Sequence, residues 1–198
     1  GLLWRAVIRR DMRTFRRICV YCGSSNDVDE RYKSAARQVG TLLASRGIGV
    51  VYGGGSVGLM GIVADAAMAA GGRVVGVIPR QLHEREVSHG GVTELHVVDS
   101  MHERKQMMAD LSDAFVALPG GVGTLEEITE QWTWAQLGIH AKPCAFLDVP
   151  GADGTADGFW APMRVLVEHM VDHDYVSAES PSVPVFSSDL DLLLDSLG

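Results

Sequence analysis

Short β-branched runs alternate with longer stretches in which apolar positions recur every three to four residues, from residue 17 to about residue 186. This alternation is the pattern of strands joined by crossover helices into a parallel sheet. It predicts strands at 17–22, 48–52, 74–78, 95–98, 114–118 and 144–148, with a late one near 183–186. Helices are predicted at 30–46, 58–70, 101–111, 125–137, 159–172 and 190–197. The segment 79–91 has no clear period and carries His83, Glu84, Arg85, Glu86 and His89. It reads as a loop at a strand end, where α/β sheets keep their chemistry. The expected fold class is α/β: one Rossmann-like domain over 17–198, a parallel sheet flanked by helices on both faces. Residues 1–16, rich in Arg with the single acid Asp11, read as a loose N-terminal tail or an expression remnant.

Composition narrows the partners. A length of 198 residues favours one domain, and no apolar run approaches the ~20 residues a membrane-crossing helix needs, so no membrane partner is expected. A formal net charge of −8 argues against a nucleic acid polymer, whose backbone is held by summed Lys and Arg attraction. A small anion held by backbone dipoles stays possible. Cys19, Cys22 and Cys144 are too few for a disulfide framework or a four-thiolate zinc site, which points to a reducing, cytoplasmic setting. Cys19 and Cys22 form a C-x-x-C inside a predicted strand, where an offset of three turns the side chains to opposite faces. They read as buried, inert thiols. His169 and His173 lie four apart on a predicted helix without the H-E-x-x-H arrangement and read as exposed, so no metal is expected.

Two glycine-rich turns each follow a strand and open a helix. The first, Gly53-Gly54-Gly55-Ser56-Val57-Gly58-Leu59-Met60-Gly61, contains G-x-G-x-x-G. A dinucleotide site also needs an acid about 20 residues onward to bind ribose; that place holds Val77-Ile78-Pro79-Arg80. Arg80 leaves an NADP-dependent oxidoreductase open, and the glycines could instead simply pack helix against strand. The second turn, Pro119-Gly120-Gly121-Val122-Gly123-Thr124, offers a nest of N–H donors, a hydroxyl and the positive end of a helix dipole, which suits a phosphate monoester.

Glu126 and Glu127 follow directly. Thr124-Leu125-Glu126-Glu127 fits the capping box T-x-x-E, which is one account of Glu127. The other is that a carboxylate beside a phosphate seat stabilises a cationic centre. Along this helix Leu125, Ile128, Trp132, Ala135 and Ile139 form a core-facing stripe, while Glu127, Glu130, Trp134 and Leu137 share a second face suited to a pocket or a subunit interface. In Met101-His102-Glu103-Arg104-Lys105, cations oppose the dipole at a predicted helix start. They are either a solvated pair or a functional one, with Arg104 orienting a carboxylate or ribose hydroxyls and Lys105 balancing phosphate.

The run Pro119 to Glu127 matches the P-G-G-x-G-T-x-x-E pattern, and the chain resembles the Lonely Guy (LOG) family of cytokinin-activating phosphoribohydrolases. Cys22-Gly23-Ser24-Ser25, Tyr52 to Gly61, Met101 to Lys105 and Thr133-Trp134-Ala135-Gln136-Leu137-Gly138-Ile139-His140 look like the family's other motifs, in the same order. The resemblance runs from about Arg17 to the C-terminus. It implies hydrolysis of cytokinin riboside 5′-monophosphates, and often AMP, to free base plus ribose 5-phosphate by a homodimer that needs no cofactor. It further implies Arg104 and Glu127 as the catalytic pair. Substrate contacts would fall on Glu86, Lys105, Gly121, Val122, Gly123, Thr124, Leu125, Glu126 and Thr133. The run from Glu84 to Gly90 departs from the family's usual sequence. Some relatives carry a lysine decarboxylase label, chemistry that needs a pyridoxal phosphate lysine; of Lys33, Lys105 and Lys142, only Lys105 lies among these motifs. A nucleotide or cofactor carrier without hydrolase activity is the alternative function.

Overall fold

The computed structural model describes residues 15–85, 88–153 and 158–197. Its element order is β1 (Arg17–Tyr21), α1 (Glu30–Ser45), β2 (Gly49–Tyr52), α2 (Gly58–Ala69), β3 (Val74–Pro79), α3 (Arg80–Glu84), β4 (Glu94–Val98), α4 (Met101–Leu111), β5 (Ala114–Ala117), α5 (Val122–Gln136), β6 (Cys144–Leu147), α6 (Ala161–Asp172), β7 (Val185–Ser187) and α7 (Leu190–Leu197). The seven strands form one sheet in the order β4-β3-β2-β1-β5-β6-β7, and every pairing is parallel. The α/β expectation is met.

Alternation along each strand separates two cores. Ile18, Val20, Val50, Tyr52, Val116 and Leu118 face α1, α2 and α7. Cys19, Tyr21, Val51, Val77, Phe115 and Phe146 face α4, α5 and α6. Cys19 and Cys22 therefore point to opposite faces, both buried, and burial pushes both thiols far above the ordinary range. Cys144 is pushed up to about 12 by burial as well. Helices α1 and α2 approach closely because Gly40 has no side chain; a Cβ there would lie 2.5 Å from the Val63 carbonyl oxygen.

The chain leaves β1 toward β2 on one side and returns to β5 on the other, so the crevice between the carboxyl ends of β1 and β5 is the topological switch point where ligands of such sheets bind. The two ends are tied together: Leu118 N–H donates to Tyr21 O (2.8 Å) and Gly23 N–H to Pro119 O (3.1 Å).

Three local expectations are corrected. The segment after β3 is not all loop but begins with α3, whose five residues are too few to display a helical period. Helix α5 begins at Val122, with Gly121 as N-cap and no side-chain cap, so Thr124 lies inside the first turn and the Thr124–Glu127 capping box does not form. Ile139 lies beyond the end of α5 and is 63% exposed, whereas Ile128 and Trp132 are buried as expected.

Candidate active site

Both glycine-rich turns reach the same edge of the sheet, and the protein treats them differently. At the start of α2, Gly58 N–H donates to the Asn26 side-chain oxygen (2.8 Å) and Leu59 N–H to Gly23 O (3.1 Å). Gly58, at φ +61°, admits the Ser24 backbone, whose carbonyl carbon would lie 2.4 Å from a Cβ. That turn is filled by its own chain.

At the start of α5 the first intrahelical bond runs from Leu125 N–H to Gly121 O (3.1 Å), so the N–H groups of Val122, Gly123 and Thr124 precede it and have no partner within the helix. A Cβ on Gly121 or Gly123 would meet nothing within 4 Å, whereas one on Gly120 would strike the Thr124 hydroxyl. Neither Gly121 nor Gly123 is required by internal packing. The space over both is open, and three N–H donors with the positive end of the dipole border it.

Arg104 sits on the other side of the crevice. Ser100 caps α4 by accepting from Glu103 N–H (3.1 Å), and the Glu103 carboxylate accepts from Asp99 N–H (2.9 Å). This reciprocal capping sets the helix phase so that Arg104, Met108 and Ala109 face inward. The Arg104 guanidinium, 9% exposed, donates from Nε to Val77 O (2.9 Å) and from Nη2 to Gly53 O (2.5 Å). Arg104 is not a solvated surface cation. Burial lowers its pKa, opposed by the Glu127 carboxylate.

Glu127 lies on α5 between the buried Thr124 and Gln131. Burial pushes its carboxyl up to about 7; the Arg104 charge opposes the rise, Glu126 adds to it, Lys105 opposes it and Glu130 adds to it. Lys105 links α4 to α5 by pairing with Glu126 (2.7 Å) and Glu130 (3.0 Å), and both pairs raise its pKa. Arg104, Glu127 and the open N-terminus of α5 thus lie together at the switch point, with Lys105 and Glu126 at the rim.

Thr133 is not brought to this cluster. It lies six residues beyond Glu127, about 9 Å along the axis, with its hydroxyl donated to Thr129 O (2.7 Å). It lines an apolar groove between α5 and α6, together with Leu125, Trp132, Met163, Leu166 and Met170. Glu86 lies outside the described residues; the adjoining Ser88 bridges Gly55, and His89 N–H donates to Gly54 O (2.9 Å). Sequence reasoning missed the buried Gln131, whose side-chain oxygen is 3.1 Å from His140 Nε2. Because His140 Nδ1 accepts from Lys142 N–H (3.1 Å), Nε2 carries the proton and donates to Gln131. No signal short of the fold pairs these two.

Among the described residues no cluster of three or more His, Cys, Asp or Glu could hold a metal, and no helix is long and apolar enough to cross a membrane. His169, on α6, and His173, the residue that caps its C-terminus, are exposed, with ring centroids 4.2 Å apart.

The chain matches, over residues 60–197, a family model described as "Possible lysine decarboxylase". The lysines do not fit the cofactor that name implies. A Schiff-base lysine needs a depressed pKa, and Lys105 is raised by two carboxylates. Lys142 donates to Ala109 O (2.7 Å), and Lys33 is on α1, which packs on the opposite face of the sheet from Arg104. Among relatives, the chain is 49% identical over 166 residues to the cytokinin riboside 5′-monophosphate phosphoribohydrolase LOG of Oryza sativa subsp. japonica, covering 84% of this chain and 66% of that protein. It is 48% identical over 163 residues to the enzyme LOG1 of Arabidopsis thaliana, covering 82% and 73%, and 43% identical over 183 residues to LOG2 of the same plant, covering 92% and 83%. The molybdenum cofactor carrier protein of Chlamydomonas reinhardtii superposes with a TM-score of 0.65 at 22% identity, covering 91% of this chain and 94% of that one, a likeness of fold alone. The matched family model and these relatives together show that the chain belongs to the Lonely Guy family of cytokinin riboside 5′-monophosphate phosphoribohydrolases.

Proposed function

We propose that the chain hydrolyses the N-glycosidic bond of cytokinin riboside 5′-monophosphates, and of AMP, to free base and ribose 5-phosphate. One observation carries the reading: Glu127, whose carboxyl burial pushes up to about 7, shares the start of α5 with N–H groups that have no partner within the helix and with open space at Gly121 and Gly123. The phosphate accepts from the N–H groups of Val122, Gly123 and Thr124, with Leu125 closing the turn behind it. Lys105 pairs with both Glu126 and Glu130 at the rim and offsets one of their two negative charges, which lessens their repulsion of a phosphate in the seat. As the base departs, C1′ gains oxocarbenium character, and ionised Glu127 stabilises it in a site of low polarity. A carboxylate with its pKa near 7 is basic enough to take a proton from the attacking water, whose oxygen bonds to C1′ as the bond to the base breaks; the proton held on Glu127 is then passed to the departing base. Arg104 holds the opposing charge in place, and Glu86 is proposed for base contact. No cofactor enters this scheme.

Residues 17–198 are read as one domain, supported by the single sheet, and the proposed location is the cytoplasm, supported by three buried free thiols. The proposed assembly is a homodimer joined through the α5–α6 groove, supported by the exposure of Leu137 (69%), Leu166 (46%) and Tyr175 (81%) around it. Thr133 then lies at the interface and its substrate contact is made across it.

The test is incubation with isopentenyladenosine 5′-monophosphate and with AMP, with chromatography for free base and ribose 5-phosphate. The parent releases both; Glu127→Gln and Arg104→Ala release neither while their circular dichroism is unchanged. Binding without product makes the protein a carrier, and normal turnover in either variant removes that residue's role.

A further inference from the structure

We propose that Gly53 is the positioning residue for Arg104, an inference that rests on the reading of Arg104 as part of the active site. Gly53 directly follows β2, and its backbone lies outside the positive-φ region that favours glycine. Its neighbours differ: Gly54 has φ +75°, and Gly58 has φ +61° with the Ser24 backbone against it. A Cβ on Gly53 would lie 2.2 Å from Arg104 Nη2 and 3.1 Å from Cζ, and its next contact, Met60 Sδ at 3.4 Å, is an ordinary one. The missing side chain therefore makes room for the guanidinium and for nothing else. The same residue's carbonyl accepts from Nη2, and the Val77 carbonyl, within β3, accepts from Nε.

The turn after β2 and the neighbouring strand β3 thus fix the plane of the guanidinium. Of its five N–H groups these carbonyls take two, and a third, on Nη1, is directed at Met101 Sδ (3.9 Å). The remaining two are left for the sugar or for Glu127. The atom that an added methyl would displace is the far end of a long side chain, so the fold can absorb it. The active-site geometry cannot, since Arg104 would lose the contact that aims it.

The test is a cycle of Gly53→Ala, Arg104→Lys and the double variant, with a crystal structure of Gly53→Ala. Gly53→Ala is expected to unfold thermally close to the parent. Its kcat for isopentenyladenosine 5′-monophosphate falls about 100-fold, as for a misplacement of about 1 Å, with KM within about threefold. Lysine has no Nη2, so adding Gly53→Ala to Arg104→Lys costs less than about twofold. Losses that multiply in the double variant overturn the proposal. So does a crystal structure with the guanidinium unmoved, whatever the parent hydrolyses. A parent that releases no base overturns the functional reading instead, and the displaced guanidinium still decides the positioning role.

Discussion

Glu127→Gln keeps the shape of the side chain and removes its titration, so comparing the variant with its parent isolates what ionising this carboxyl does to the fold. Burial holds Glu127 at about 7, against 4.5 for the ordinary group, and that value already includes the attraction of Arg104. Between the two values the folded chain keeps a proton that the unfolded chain has released. Stability linked to this residue therefore falls as pH rises through the window from about 4.5 to 7, and the loss is complete above it. A salt-bridged carboxylate, with its pKa lowered on folding, gives the opposite slope. At 1.36 kcal/mol per pH unit, the linkage between pH 5 and pH 8 amounts to about 2.5 kcal/mol. The glutamine variant lacks it.

Urea unfolding of both proteins at pH 5 and pH 8, at one protein concentration, measures the effect. With a slope of about 2 kcal/mol per molar, the midpoint of the variant gains on the parent by about 1 M between the two pH values. Other titrating groups are common to both proteins and cancel. A midpoint gap that is the same at both pH values, or that moves in favour of the parent at pH 8, refutes the reasoning: the carboxyl would then not be held up by burial, and its basicity toward water would have no source.

Gly121→Ala is expected to leave thermal stability within about 0.5 kcal/mol of the parent, because its Cβ enters open space, and to raise KM for the monophosphate at least about tenfold by occupying the phosphate seat. Gly40→Ala is the converse: its Cβ meets the Val63 carbonyl oxygen at 2.5 Å and costs about 1–3 kcal/mol in thermal unfolding, with KM unchanged. Leu166→Asp puts a charge into the α5–α6 groove and is expected to give monomer by light scattering; an unchanged mass would remove that groove as the dimer interface.

The central strands were legible because they carry alternate residues into two different cores, so the apolar runs at 74–79 and 114–117 stand out. Helix starts were harder. Gly121 to Gly123 are poor helix formers in isolation, and α5 begins there because the end of β5, tied to Gly23, delivers the chain at the right angle. Thr124 consequently looked like a cap and is a buried side chain in the first turn. For α4 the signal was present and unused: Ser100 and Glu103 form the reciprocal cap, and its phase puts Arg104 one turn before Met108 on the inward face. The partners of Arg104 could not be read at all, since they are backbone carbonyls from β3 and the turn after β2.

The contrast between the two glycine-rich turns supports placing the proposed chemistry at α5. A parallel sheet with helices on both faces presents several helix N-termini along one edge, each with the same dipole and the same unmet N–H groups, so composition alone does not rank them. At α2 the β1–α1 loop supplies Asn26 and the Gly23 carbonyl, and the glycines there serve to admit Ser24 and Arg104. At α5 Gly120 makes room for Thr124, and Gly121 and Gly123 admit nothing of the chain's own. The first turn spends its freedom on fixing a cation and the second leaves a seat for an anion, while Glu127 lies close enough to feel Arg104 and is buried enough to remain basic. The proposed mechanism needs that order of groups, with phosphate on the N–H donors at one end and a carboxylate at the sugar. The first glycine turn contributes to the proposed site through the arginine it lets in.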